Sequence, residues 1–183
     1  MTRDKTAATE FRRDWARFHP TCLPVGWMLR GRADLPWVRF HALPGSKRYA
    51  SNQAERKIIL SRAYALGDTL LGVNQCCWAV EAETDDPSAP SEIALSGTET
   101  DDPDDPTWYF YARRERWQAG MYDAKLLAIA DDKPRRAIWM RCDDGAVFAP
   151  YDGGFDLFPT SWEAASQFKA EWPDWLSPHP SGL

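Results

Sequence analysis

No stretch of 18 residues in this chain is free of charge, so the sequence encodes no run of the roughly 20 apolar residues that a helix needs to cross a bilayer. The opening residues, MTRDKTAATEFRRDWARF, contain no apolar block of the kind that marks a secretory signal. These two absences predict a cytoplasmic protein with no membrane partner. Histidine is scarce, with three residues, and none of the four cysteines (Cys22, Cys76, Cys77, Cys142) forms a C-x-x-C pair. No zinc-ligand spacing results, and the cysteines read as free thiols in a reducing compartment. Neither a metal nor a cofactor is expected. Internal repeats and heptad runs are missing as well. Composition excludes whole-chain disorder: hydrophobic residues make up 44% and charged residues 27% of 183 positions, close to the globular average and enough to bury one sizeable core.

Aromatic residues and segregated charge are what the chain has in abundance. Ten Trp, eight Phe and six Tyr predict a Trp-rich core, because each buried ring removes about 150–250 Å² from water. Any Trp or Tyr left outside is a candidate anchor for a partner. The formal net charge is −5, yet residues 1–80 carry a net +7, residues 81–106 carry ten acidic groups and no basic one, and residues 107–183 carry −2. The negative total makes nucleic acid a disfavoured partner, although the basic first half alone would not forbid it.

Periodicity predicts a first helix over 9–18, with Phe11, Trp15 and Phe18 on one stripe and His19-Pro20 as its stop. Strands are expected over 25–30 and 37–42, joined as a hairpin through GRADLP. A helix follows from about 52 to 66 or 71, with Asn52 and Glu55 at capping-box spacing and Ser51 as an alternative cap. Further strands are expected over 73–83, 92–95, 108–113, 137–142, 147–150 and 155–158. Helices are expected over 122–130 and from a Thr160/Glu163 capping box to about 172. Asp143-Asp144-Gly145 is a hairpin signal, and the tail carrying Trp175 and Leu176 is expected to dock on the body. Strands linked by short turns imply antiparallel pairing. The predicted class is α+β: a mostly antiparallel sheet with helices packed mainly on one face, in a single domain over 1–183 with a long acidic loop at about 84–106.

Three stretches carry candidate chemistry. The turn around Arg39, Ser46, Lys47, Arg48 and Tyr49 precedes a helix and can hold an anion through backbone N–H groups and cations. It lacks the glycine and lysine order of a Walker loop, and a solvated basic turn is the plainer reading. His41 can serve as a general base, its pKa lowered by Arg39, with Ser46 nearby in sequence as a nucleophile. The alternative is a half-buried strand histidine. Asp152 and Asp156 flank a glycine turn and can act as acid and base or bind a metal. Asp-Gly-Gly is equally what a tight turn requires, with glycine supplying a positive φ. In the acidic loop, Asp101, Asp102, Asp104 and Asp105 can steer a basic partner, with Trp108 or Tyr109 beside them as an anchor.

Three blocks, RFHALPGSKRYA at 39–50, PYDGGFD at 150–156 and WLSPHPSGL at 175–183, together resemble an uncharacterised bacterial domain-of-unknown-function family. That family carries an RFHxLPxSKRYA block, a PYDGGxD block and a WLSxHPxGL C-terminus. The chain departs from it in the long acidic insert and in Gly45, where a larger residue is expected. The resemblance implies a bacterial origin, a single domain, a cytosolic setting, and one surface shared by the basic turn, the Asp-Gly-Gly turn and the tail. It implies no catalytic residue. With no complete catalytic constellation visible, the primary expectation is a protein-binding module, immunity-like or regulatory, that contacts another bacterial protein, a basic one being the partner the acidic loop would steer. The alternative is an enzyme or binding protein for an anionic small molecule, built from the 39–49 and 150–156 turns. Convergence of these residues on one concave pocket would favour the alternative.

Overall fold

The computed structural model describes residues 2–84, 108–133 and 136–177. The acidic segment with Asp101, Asp102, Asp104 and Asp105, and the strand expected at 92–95, lie outside the described residues. Among the described residues five α-helices, α1 (Thr2–Phe18), α2 (Gly26–Arg30), α3 (Gln53–Leu71), α4 (Asp123–Ala130) and α5 (Trp162–Glu171), accompany six strands. The strands are β1 (Val38–His41), β2 (Cys76–Thr84), β3 (Trp108–Arg116), β4 (Arg136–Arg141), β5 (Val147–Tyr151) and β6 (Gly154–Phe158). They form one antiparallel sheet in the order β1-β6-β5-β4-β2-β3. The α+β class with an antiparallel sheet is therefore as the sequence predicts. No helix among the described residues is long and apolar enough to cross a membrane.

The longest helix follows its sequence signals. Asn52 caps α3 by accepting from the Glu55 N–H at 3.0 Å, and Glu55 reaches back to accept from the Ser51 N–H at 2.6 Å. Gly72 closes the helix with φ +82°. Ile59, Ala63, Leu66 and Leu70, spaced by three or four, form its buried stripe. The β4–β5 hairpin turns at Asp143–Gly145 with Gly145 at φ +78°.

Several expectations are corrected. Residues 25–30 are not a strand: Val25 and Leu29 are both buried at helical spacing, and Gly26 lies so close to the sheet that a Cβ there would stand 2.9 Å from the Ala149 Cβ. A short apolar run suits either state, and tertiary packing decides. The expected 25–42 hairpin is consequently absent, and β1 pairs with β6 instead. Helix α1 begins earlier than residue 9. Ser161, not Thr160, caps α5, accepting from the Ala164 N–H at 3.1 Å. Neither Gly153 nor Gly154 takes a positive φ. Gly154 is required by proximity, since a Cβ would fall 2.0 Å from the Phe40 carbonyl oxygen of the neighbouring strand.

Strand alternation builds two cores. On one face Phe40, Trp139, Phe148, Phe155 and Leu157 pack under α3, α4 and α5 with Trp117 and Tyr122. On the other, Trp78, Val80, Phe110, Met140 and Phe158 pack under Phe11 and Trp15 of α1 and Leu29 of α2. Three of the five helices thus share one face. The Trp-rich core is present: Trp78, Trp117 and Trp139 are fully buried. Trp175 and Leu176 dock on the body as expected, with Leu176 bridging to Phe40 and Trp175 stacked on Trp172 and lying under the Arg62 guanidinium, while residues 178–183 lie outside the described residues.

Candidate functional site

The α1/α2 face is only partly covered. Helix α1 lies against β2 and β3, and α2 against β5 and β6. Between α2, the outward side of β1, the start of β4 and the end of β5 remains a cleft of about 630 Å³. Its walls carry four arginines, Arg30, Arg39, Arg48 and Arg136, together with His41, Ser46, Tyr151, Asp152 and Asp156.

Pairing of β1 with β6 sets the floor. Arg39 stands opposite Asp156, and its Nε and Nη2 donate to the two carboxylate oxygens at 2.8 and 2.9 Å. Asp156 is 3% exposed. It also accepts from Trp37 Nε1 at 3.0 Å, and Arg30 stands 3.7 Å away. The Arg39 guanidinium lies 4.3 Å from the Tyr151 ring centroid. A buried carboxylate with this many partners is an anchor that orients the arginines rather than a mobile acid or base.

The basic turn splits. Pro44–Ser46 forms a single 3-10 turn with Gly45 and Ser46 both at positive φ. Arg48 and Ser46 reach the cleft, and Arg48 pairs with Asp152 on the β5–β6 turn. Tyr49 donates from its hydroxyl to the same carboxylate at 3.1 Å. Lys47 turns away and donates to Ser51 Oγ at 2.9 Å and to both Glu55 oxygens at 2.7 Å, joining the α3 cap. The Arg48–Asp152 and Arg39–Asp156 pairs thus join the 39–49 and 150–156 stretches into one wall.

His41 sits beside Arg39 on the cleft side, and its Nε2 has no hydrogen-bond partner. Burial first, then the charges of Arg39 and Arg62, hold its imidazole below the ordinary value. The ring is therefore neutral at pH 7. Burial pushes the Tyr151 phenol up to about 12, so it is a hydrogen-bonding hydroxyl and not an anion. Among the described residues no group of three His, Cys, Asp or Glu side chains is arranged to hold a metal ion. Trp108 opens β3, and Tyr109 is partly buried opposite Glu83, away from this cleft.

Sequence reasoning did not single out Arg30, Arg136, Trp27 or Tyr151. Arg136 shares strand parity with Ile138 and Met140, which marks the face it occupies. Nothing local in the sequence relates it to Arg39. The molecule is thus an α+β protein with an arginine-lined cleft across one end of its sheet face. It belongs to the family described as Domain of unknown function (DUF3885), whose model matches residues 25–180. No curated protein and no solved structure matches the chain. All the cleft residues named above fall within the matched segment, whereas α1 precedes it.

Proposed function

We propose that the protein is a binding protein for an anionic small molecule, held in the arginine-lined cleft. The observation that carries this reading is convergence: Arg30, Arg39, Arg48 and Arg136 meet His41 and Tyr151 around one cavity of about 630 Å³, a volume in the range of small-molecule sites. Arg39 is held rigid by Asp156, and Arg136 is exposed with no ion pair among the described residues. Arg136 and Arg30 are the groups assigned to the anion, with Ser46 and the Tyr151 hydroxyl as neutral donors. His41 accepts or donates one further hydrogen bond in its neutral form. Trp27, 46% exposed at the rim, offers a flat apolar contact to the rest of the ligand. The protein-contact reading rests on an acidic segment outside the described residues, and the cleft is preferred for that reason.

The test is calorimetric titration with inorganic phosphate, nucleoside phosphates and di- and tricarboxylates at low salt. Saturable binding of at least one of these is expected, weakening as salt rises. Arg136→Glu should lower the affinity at least tenfold, and Lys47→Ala should leave it unchanged. Absence of binding across the panel, or equal affinity in Arg136→Glu, would overturn the proposal.

A further inference from the structure

Two of the four cysteines meet at the opposite end of the same sheet face. Cys76 is the first residue of β2, and Cys142 immediately follows β4. The β2–β4 register, Trp78 opposite Met140 and Cys77 opposite Arg141, continues by one step to set Cys76 opposite Cys142. The Cys142 N–H donates to the Cys76 carbonyl at 3.0 Å, which fixes the two backbones. A hydrogen-bonded antiparallel pair holds its Cα atoms about 5.5 Å apart, within the roughly 4.4–6.8 Å that a disulfide spans. Alternation sends both side chains to the face of Trp78 and Met140, and the two thiols are hydrogen-bonded, Sγ to Sγ, at 2.7 Å. Both residues are partly exposed, within reach of a small oxidant. The other two cysteines do not share this arrangement. Cys77 is buried on the opposite face, and Cys22 directs its thiol to the Leu23 carbonyl.

We propose that Cys76 and Cys142 form a reversible dithiol–disulfide site whose oxidant is a small-molecule disulfide such as oxidised glutathione. Burial, then the hydrogen bond with Cys76, raises the Cys142 thiol above its ordinary value. Written with Cys76 as the attacking sulfur and Cys142 as the resolving one, the exchange runs in two steps. The Cys76 thiolate displaces one glutathione thiolate and forms a mixed disulfide. Cys142 then loses its proton and attacks the Cys76 sulfur, which forms the Cys76–Cys142 bond and breaks the bond to the second glutathione. The two cysteines lose two electrons, one glutathione disulfide becomes two thiols, and the two cysteine protons end on the departing thiolates. The product ties β2 to the β4–β5 hairpin, over which the end of α1 is held by His19 on the Gly145 carbonyl.

The test equilibrates the reduced full-length chain with glutathione buffers of increasing oxidised fraction, blocks remaining thiols and maps the products by mass spectrometry. The expected product has lost two hydrogens and joins the Cys76 and Cys142 peptides, with Cys22 and Cys77 still alkylated. A Cys22→Ser, Cys77→Ser double variant should oxidise at the same buffer ratio as the parent. Cys142→Ser should stop at one glutathione per chain on Cys76. A fully alkylated parent chain in hundredfold excess oxidised glutathione, or a product joining any other pair, would overturn the proposal. The mapping on the parent decides even where a variant fails to fold.

Discussion

The two faces of the sheet use the same strands for opposite purposes. On the α3/α4/α5 face the aromatic residues close on one another. Trp117 stacks on Tyr122 at 5.2 Å and meets Trp139 and Phe148 edge-on, each at 5.6 Å, while Phe148 stacks on Phe155 at 5.6 Å. The alternate residues of those strands, Arg39 and His41 on β1 and Asp156 on β6, face the side that α1 and α2 leave partly open. One face carries packing throughout, and the other carries packing beneath α1 and α2 and charge where those helices leave it open. Alternation makes this division possible, because each strand presents neighbouring residues to different environments.

The largest effect expected from breaking this contrast is at Trp117. Its ring is fully buried, its Nε1 donates to Asp68 at 2.6 Å, and it lies so close to Gly67 that a Cβ there would stand 2.2 Å from it. Trp117→Ala should cost about 3–5 kcal/mol in urea unfolding, whereas Arg136→Ala on the open face should change stability by less than about 0.5 kcal/mol. Equal costs would erase the distinction between the faces.

Next is the charged pair that bridges packing and recognition. Asp156→Asn leaves the Arg39 guanidinium, itself 10% exposed, without its counter-charge, and should cost about 3 kcal/mol. Adding Arg39→Met should recover much of that loss, since the buried charge then disappears from both sides. If Asp156→Asn unfolds at the parent's midpoint, the pair is not the anchor of the cleft.

The smallest effect separates the covered and open ends of the α1/α2 face. His19 is 6% exposed, its Nε2 donates to the Gly145 carbonyl at 2.7 Å, and its Nδ1 has no partner. Burial first, and the Arg32 charge, hold its pKa below the ordinary value against the opposing pull of that carbonyl. The unfolded chain therefore binds more protons than the folded one as pH falls below about 6.5, and stability declines there. One such group gives a slope of at most about 1.4 kcal/mol per pH unit. His41 is lowered in the same direction. His19→Gln should flatten only part of the slope between pH 5 and 7, and His41→Gln the rest. An unchanged slope in the double variant would assign the acid sensitivity elsewhere.

How much of this was legible beforehand depends on the distance over which each feature is specified. The α3 cap at Asn52 and Glu55, the Asp143–Gly145 turn and the docking of Trp175 and Leu176 were readable, because each rests on residues a few positions apart or on an apolar pair that needs cover. The 25–30 segment was not, since a short apolar run satisfies either a strand or a helix until its neighbour is known. Arg39, His41, Ser46, Arg48, Asp152 and Asp156 were readable as chemistry in two separate stretches. Arg30 and Arg136 were not readable as members of the same site. Lys47 was read together with the rest of the basic turn, because nothing local distinguishes a cation that faces a cleft from one that folds back onto the Glu55 cap, as Lys47 does.

Outside the 25–30 segment, the sequence by itself determined most of the elements, the alternation of large apolar and polar residues along the strands, the Asp143–Gly145 turn and the segregation of charge. These follow from local sterics and from the period of each backbone conformation. Only the tertiary structure decided that β1 lies beside β6, which brings residues 39–41 against 154–157. That pairing selects which carboxylate neutralises which arginine, and leaves Arg136 exposed in the cleft without an ion pair among the described residues. Strand neighbours and ion-pair partners are contacts between distant parts of the chain, chosen by how whole faces bury together, and local sequence carries no energy that depends on them.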